Sequence, residues 1–266
     1  MSVMALFMMM TGIHIMITNQ IAVAYGGGVD STAMLIKCVQ KGIKIDLILF
    51  ADTGSEKPHT YEYVKYFNKY LIRNNQPQII VVKKGGIQET LEQECLRAKC
   101  LPSMAYGGFK ICSLKYKVQP QDKFCNNYEQ FKLFWKQNKN NKVTKFIGID
   151  ADEAHRAKYD SDKKYKYKYP LIDWDMGRDE CIQAIQDAGL KLPGKSACFF
   201  CPSSKIGEVR ALKHQYPALF RRAIAMENNA ELTSIKGLGR NYSWANVDQQ
   251  DEMDFAWEKP CGCYDG

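Results

Sequence analysis

Four short segments of the chain are apolar almost throughout: IAVAY at 21–25, IDLILFA at 45–51, QIIVV at 78–82 and KFIGI at 145–149. None shows the strict alternation of a strand that is wet on one face. Strands covered on both faces read this way. Between the first three lie two amphipathic stretches, 31–41 and 60–72. In the first, Ala33, Leu35, Ile36 and Val39 provide a helical core face and Gly42 a stop. Strand–helix–strand–helix–strand with buried strands folds as an open, parallel, twisted sheet with helices on both faces, so the fold class is α/β. Farther along, the Lys- and Asn-rich residues 127–141 predict a surface helix and loop. Residues 178–188 predict a helix, 189–204 a Gly/Pro/Cys loop, and 205–230 two helical segments hinged near Pro217.

The 266 residues suit one large domain or a domain with an appendage, at about 150 residues per domain. A 45% hydrophobic and 25% charged composition excludes disorder, collagen and coiled coil as the main architecture. The net charge of +8 favours a polyanionic partner. Residues 3–17 are apolar, but the first Lys or Arg is Lys37, and the stretch carries Gly12 and His14. It is too short for a membrane span and lacks the basic start of a signal peptide. The expectation is a ragged start, with an initiator at Met10 or Met16, and no membrane attachment. The chain is then cytoplasmic, and its ten cysteines are thiols or metal ligands rather than disulfides.

Tyr25-Gly26-Gly27-Gly28-Val29-Asp30-Ser31-Thr32 joins the first strand to the first helix. Residues without side chains let backbone N–H groups approach phosphate oxygens, and a helix N-terminus adds partial positive charge. The Ser31 and Thr32 hydroxyls can donate to the same anion. Neither GxxxxGK[ST] nor GxGxxG is present. The loop resembles the SGGxDS signature of the PP-loop ATP pyrophosphatases, with Tyr25-Gly26 in place of its leading Ser. That resemblance implies an adenine nucleotide alpha hydrolase-like fold in which the loop holds the pyrophosphate leaving from ATP. It also places adenine and ribose near the end of the second strand, at Asp52.

Cys198-Phe199-Phe200-Cys201 is a CxxC, a spacing that binds one metal or cluster or cycles as a redox pair. Cys112 opens CSLKYKVQP, which resembles the Cys-plus-Lys-plus-Pro segment of phosphoadenosine phosphosulfate (PAPS) reductase relatives. In the adenylylsulfate reductases two adjacent cysteines stand there and join a distant CxxC around a four-iron four-sulfur cluster. Here the second position is Ser113, so the resemblance implies Cys112, Cys198 and Cys201 as ligands, with Cys261 or Cys263 as the fourth and Cys100 in reserve. Soft thiolates suit iron–sulfur or zinc equally. Cys38, Cys95, Cys125 and Cys181 fall in predicted helices and read as small buried hydrophobes.

Gly148-Ile149-Asp150-Ala151-Asp152-Glu153-Ala154-His155-Arg156 resembles the superfamily segment that runs from a glycine to a Glu-Ser/Ala and an Arg, and implies nucleotide contacts at Gly148 and Arg156. Tyr169 to Trp174, followed by Lys195 to Pro202, is similar to the PAPS reductase-like branch that includes phage and DNA-phosphorothioation proteins. Residues 156–168 hold six Lys/Arg against two Asp, interleaved with tyrosines. Positive charge with stacking rings suits nucleic-acid backbones and unstacked bases, which nominates Lys158, Tyr159, Lys163, Lys164, Lys166 and Lys168.

The resemblance therefore implies an α/β PP-loop domain over 1–175 and a helical, cysteine-bearing extension over 176–266. The expected activity is ATP-dependent adenylation, releasing pyrophosphate, with sulfur transfer to RNA, DNA or a nucleotide. Asp30, Ser31 and Arg156 are the expected catalytic residues, ATP with Mg²⁺ and a cluster the cofactors, and a cysteine desulfurase the sulfur donor to a homodimer. The competing readings are an adenylylsulfate or PAPS reductase and a zinc-stiffened nucleic-acid-binding protein without catalysis.

Overall fold

The computed structural model describes residues 19–85, 89–102, 110–159 and 162–249. The apolar start at 3–17 and the expected fourth ligands Cys261 and Cys263 lie outside the described residues. Five parallel strands form one sheet in the order β3-β2-β1-β4-β5. They are β1 (Ile21–Ala24), β2 (Leu47–Asp52), β3 (Ile79–Lys83), β4 (Val143–Ile147) and β5 (Tyr165–Lys168). β1 pairs with β2 on one side and with β4 on the other, so the strand order reverses between β1 and β4. In open α/β sheets the crevice at the carboxyl ends of the strands on either side of such a reversal is where ligands bind.

Both faces of the sheet are covered, which is why its central strands lack alternation. On one face Ile21, Val23, Ile48, Phe50 and Phe146 meet α1 (Val29–Gln40) and α2 (Pro58–Arg73). On the other, Ala22, Leu47, Leu49 and Ala51 meet Cys125, Phe131 and Phe134. After α3 (Leu91–Arg97), a helical run passes through a π-helical turn at Leu114–Val118 into α4 (Gln119–Asn127), and α5 (Glu129–Gln137) follows. Residues 127–141 are therefore the amphipathic lid of the second face as well as a surface segment.

After β5 and the short α6 (Pro170–Asp173), α7 (Arg178–Asp187) buries Cys181, Ala184 and Ile185 in the core beneath α1, so the covering layer of the sheet extends to Asp187. A second hydrophobic core lies beyond it. Phe199 and Phe200 of the CxxC enter it together with Val209 and Leu212 of α8 (Ile206–Gln215) and Phe220, Ala223 and Met226 of α9 (Pro217–Asn229). Pro217 begins α9, where its missing N–H costs nothing and its fixed φ suits a helix start. Among the described residues no helix is long and apolar enough to cross a membrane.

Candidate nucleotide and thiol site

The glycine loop sits at the strand-order reversal. Gly27 has φ +78, the left-handed region that glycine tolerates, and a Cβ there would meet Thr60 Cγ2 at 3.3 Å. Gly26 N–H donates to Ser31 Oγ at 3.3 Å, so the Ser31 hydroxyl folds back over the loop. The Thr32 hydroxyl donates to the Gly28 carbonyl at 2.7 Å and stands 3.2 Å from the Tyr25 hydroxyl. Tyr25 itself is buried and stacked on Phe67. The structure thus gives Tyr25 and Thr32 a role inside the core. Val29 is buried at the start of α1.

Asp30 is buried, and Arg178 Nη1 at the start of α7 donates to it at 2.7 Å. Gly148, just past β4, comes up against the same place. A Cβ on it would lie 2.7 Å from both Cα and N of Ser31. Only a glycine lets the exit of β4 lie on the first turn of α1, and this contact brings the two halves of the expected nucleotide crevice together.

At the end of β2, Asp52 accepts from Tyr61 OH at 2.6 Å and from Gly54 N–H at 2.7 Å, and pairs with Lys83 at 3.0 Å. It organises the exit of β2. The next residues clamp the cysteine loop: Glu56 and Cys198 form an antiparallel bridge, and Phe199 N–H donates to the Ser55 carbonyl at 3.0 Å. The cysteine loop is fixed from both ends of its own sequence, because its two phenylalanines are anchored in the second core.

Cys112, Cys198 and Cys201 line one cavity of about 60 Å³, together with Thr53, Lys110, Lys117 and Ser196. Cys198 Sγ lies 3.2 Å from Thr53 Oγ1 and 3.9 Å from Glu56 Oε1. Lys117 Nζ pairs with the same Glu56 oxygen at 3.1 Å, while the buried Glu56 Oε2 has no hydrogen-bond partner among the described residues. Burial, with the Glu56 carboxylate beside it, pushes the Cys198 thiol up, against the opposing pull of Lys117 and the Thr53 hydroxyl. Burial also raises the Cys112 thiol. Three soft thiols beside two lysines are the donor type that suits a thiolate-bound cluster or zinc ion, but their side chains are not drawn together as a ligand set. Among the described residues no three His, Cys, Asp or Glu side chains form a group that would hold a metal ion. Of the remaining thiols, Cys38 and Cys95 are pushed up to about 12 and Cys125 to about 11, first of all by burial. Cys100 is exposed at the end of α3.

Arg156 ends the 3₁₀ turn Ala151–Arg156, where it pairs with Glu153. The basic Tyr-rich stretch ends in β5, an edge strand among the described residues. Tyr165 and Tyr169 are buried, whereas Tyr159, edge-on to Tyr169 at 5.1 Å, is 63% exposed. Lys164 bonds to Asn126 and lies over the Trp135 ring at 4.9 Å. Lys163 and Lys168 are exposed, Lys166 is half-buried, and the backbone of Lys158 is tied to the Tyr169 hydroxyl. Sequence reasoning missed Arg178, Thr53, Glu56 and Lys117. Their roles show only through partners distant in the chain: the Asp30–Arg178 separation is 148, the Thr53–Cys198 separation 145 and the Glu56–Cys198 separation 142, and Lys117 pairs with Glu56.

The phosphoadenosine phosphosulfate reductase domain model matches residues 20–179. Two uncharacterised proteins of Methanocaldococcus jannaschii are similar. One is 26% identical over 225 residues, 77% of this chain and 41% of the relative. The other is 23% identical over 217 residues, 75% of this chain and 45% of the relative. The chain thus spans less than half the length of these curated relatives. Among solved structures, the U34-tRNA thiolase NcsA of Methanococcus maripaludis, with its four-iron four-sulfur cluster, superposes at a TM-score of 0.40 and 14% identity, over 90% of this chain and 84% of that one.

Proposed function

Since the chain belongs to the phosphoadenosine phosphosulfate reductase domain family, we propose that it is an ATP-dependent adenylating enzyme whose thiols pass sulfur to an activated nucleic acid. The observation that carries this reading is the convergence of Cys112, Cys198 and Cys201 on one cavity with Thr53, the residue directly after Asp52 at the end of β2. The thiol cavity thus opens beside the carboxyl end of β2, which supports a nucleotide held at the same edge of the sheet.

An acceptor oxygen attacks the α-phosphate of Mg²⁺-bound ATP, and the bond to pyrophosphate breaks. The glycine loop and the start of α1 stabilise the charge on the departing pyrophosphate, a preorganised role that needs no rearrangement during the step. Ser31 orders the loop through Gly26, and Asp30 is held by Arg178. Sulfide from an external sulfur donor then attacks the activated carbon, and the C–S bond forms as the C–O bond to AMP breaks and AMP leaves. Cys112, Cys198 and Cys201 would hold a cluster or zinc ion, which when bound supplies a thiophilic site for the sulfur. Lys117 lowers the cost of negative charge on Cys112 and Cys198.

Anaerobically prepared protein should catalyse ATP–pyrophosphate exchange, and Ser31→Ala should lower it by about tenfold or more. Cys198→Ala and Cys201→Ala should each lose bound iron or zinc, whereas Cys38→Ala should retain it. Sulfite release from a sulfonucleotide without any ATP–pyrophosphate exchange would overturn the reading in favour of a reductase.

A further inference from the structure

A groove of about 460 Å³ runs along the open edge of the sheet, outside β3. It is within the size range of small-ligand sites. Four lysines line it, Lys83 and Lys84 from the end of β3 and Lys115 and Lys123 from the helical run, and no carboxylate does. Val81, Pro120 and Phe124 supply an apolar wall. Val81 is 51% exposed although it lies in a strand of the sheet.

The lysines are held in place from beneath. Glu94 bonds to both Lys84 and Lys115, Lys84 lies over the Tyr116 ring at 4.5 Å, and Lys83 pairs with Asp52 at 3.0 Å. An ammonium carries three N–H donors, so an anchoring carboxylate leaves it able to bind an anion as well. Four cations against two carboxylates also leave the groove positive. The helical run that supplies Lys115, Lys123 and Phe124 to the groove supplies Cys112 and Lys117 to the thiol cavity. Cys112 and Lys115 are three residues apart, about one helical turn. The basic stretch that ends in β5 lies at the opposite edge of the sheet, where Tyr165 and Tyr169 are buried and Tyr167 is half-buried, although Tyr159 is exposed.

We propose that this groove is where the nucleic acid docks: a single-stranded segment whose phosphates lie on Lys83, Lys84, Lys115 and Lys123 and one of whose bases rests on Phe124. The inference rests on the nucleic-acid acceptor proposed above and adds the surface that presents it to Cys112. Lysine-lined channels with an aromatic platform bind single strands without sequence preference and with strong salt dependence.

The test is binding of fluorescent single-stranded 20-mers of RNA and of DNA to the full chain, from low to high salt, with thermal melting of each variant as a check on folding. Each lost phosphate contact lowers the log–log salt slope by about 0.7 for single strands, so Lys83→Gln with Lys123→Gln should lower it by about 1.4. Phe124→Ala should weaken binding by about tenfold. Lys123→Glu alters one exposed position on α4 and should weaken binding even if the double variant proves unstable. The quadruple change Lys163→Ser, Lys164→Ser, Lys166→Ser and Lys168→Ser should leave the slope near that of the parent. Salt-dependent binding by the parent that the groove variants reproduce, or that only the quadruple variant loses, overturns the groove and leaves the nucleic-acid acceptor standing. A parent that binds neither RNA nor DNA overturns both.

Discussion

Two residues at the strand-order reversal show how little space the crevice leaves. Gly148 meets only backbone: a Cβ would lie 2.7 Å from Cα and N of Ser31 and 3.0 Å from the carbonyl carbon of Asp30. No side chain can swing away to relieve that overlap, so Gly148→Ala should cost about 2 kcal/mol as overpacking and should also depress ATP–pyrophosphate exchange. A urea midpoint equal to that of the parent would show that the two elements are not in contact. Asp30 is the second case. Arg178→Leu removes one partner of this buried carboxylate, at a cost of about 2 kcal/mol, modest because the Arg178 side chain is 29% exposed. Restored stability in the double variant Asp30→Asn with Arg178→Leu would confirm the pairing; equal loss in single and double variants would reject it. The glycine loop was legible in the sequence because its chemistry is local. Arg178 was not, because nothing near it in sequence marks it until the fold brings α7 onto α1.

At the scale of elements, buried strands and amphipathic helices were legible wherever one period dominated the sequence. The two helices meeting at Pro217 are the clearest case, with α8 ending at Gln215 and α9 starting at Pro217. β5 was missed for an instructive reason. Tyr165-Lys166-Tyr167-Lys168-Tyr169 alternates with period two, the mark of a half-buried strand, yet charge next to aromatic rings suggests a nucleic-acid surface. Once Tyr165 and Tyr169 are seen buried, the alternation is structural. A different tie fastens α2 to the second core. His59 Nδ1 lies 3.1 Å from the Tyr216 hydroxyl and Nε2 3.2 Å from the Lys195 carbonyl. Gly194 admits the ring, since a Cβ there would lie 2.6 Å from it. Burial, with Lys57 nearby, holds the His59 pKa below its ordinary value, against the raising effect of the Lys195 carbonyl. The unfolded chain therefore binds more protons than the folded one near and below pH 6.5, and stability must fall as pH drops through about 6.5 towards the lower folded value. Melting at pH 7.5 and 5.5 should show a larger drop for the parent than for His59→Gln, whereas equal drops would sink the assignment.

At the scale of the whole molecule, two cores divide the labour. The sheet with α1, α2 and α7 builds the crevice proposed for the nucleotide, and the second core holds the CxxC loop beside it. They are joined by specific contacts, among them the Glu56–Cys198 bridge, the Phe199 N–H to the Ser55 carbonyl, and His59 with Tyr216. Phe200 is fully buried and packs edge-on against Phe199 at 4.7 Å. Phe200→Ala should open a cavity and cost about 3–5 kcal/mol in the second core. The loop that places Cys198 against Thr53 then loses its anchor. Freed from burial, the Cys198 thiol should return towards an ordinary value of about 8.5, so alkylation by iodoacetamide at pH 7.5 should accelerate. The glycine loop shares no side chain with this cluster, so ATP–pyrophosphate exchange should stay within about twofold of the parent, as expected for separated sites. Faster alkylation with retained exchange would establish that activation and thiol presentation are housed in separable parts of one chain. Joint loss of exchange and structure would show that the sheet cannot stand without the second core, and unchanged alkylation would show that the phenylalanines do not hold the thiols in place.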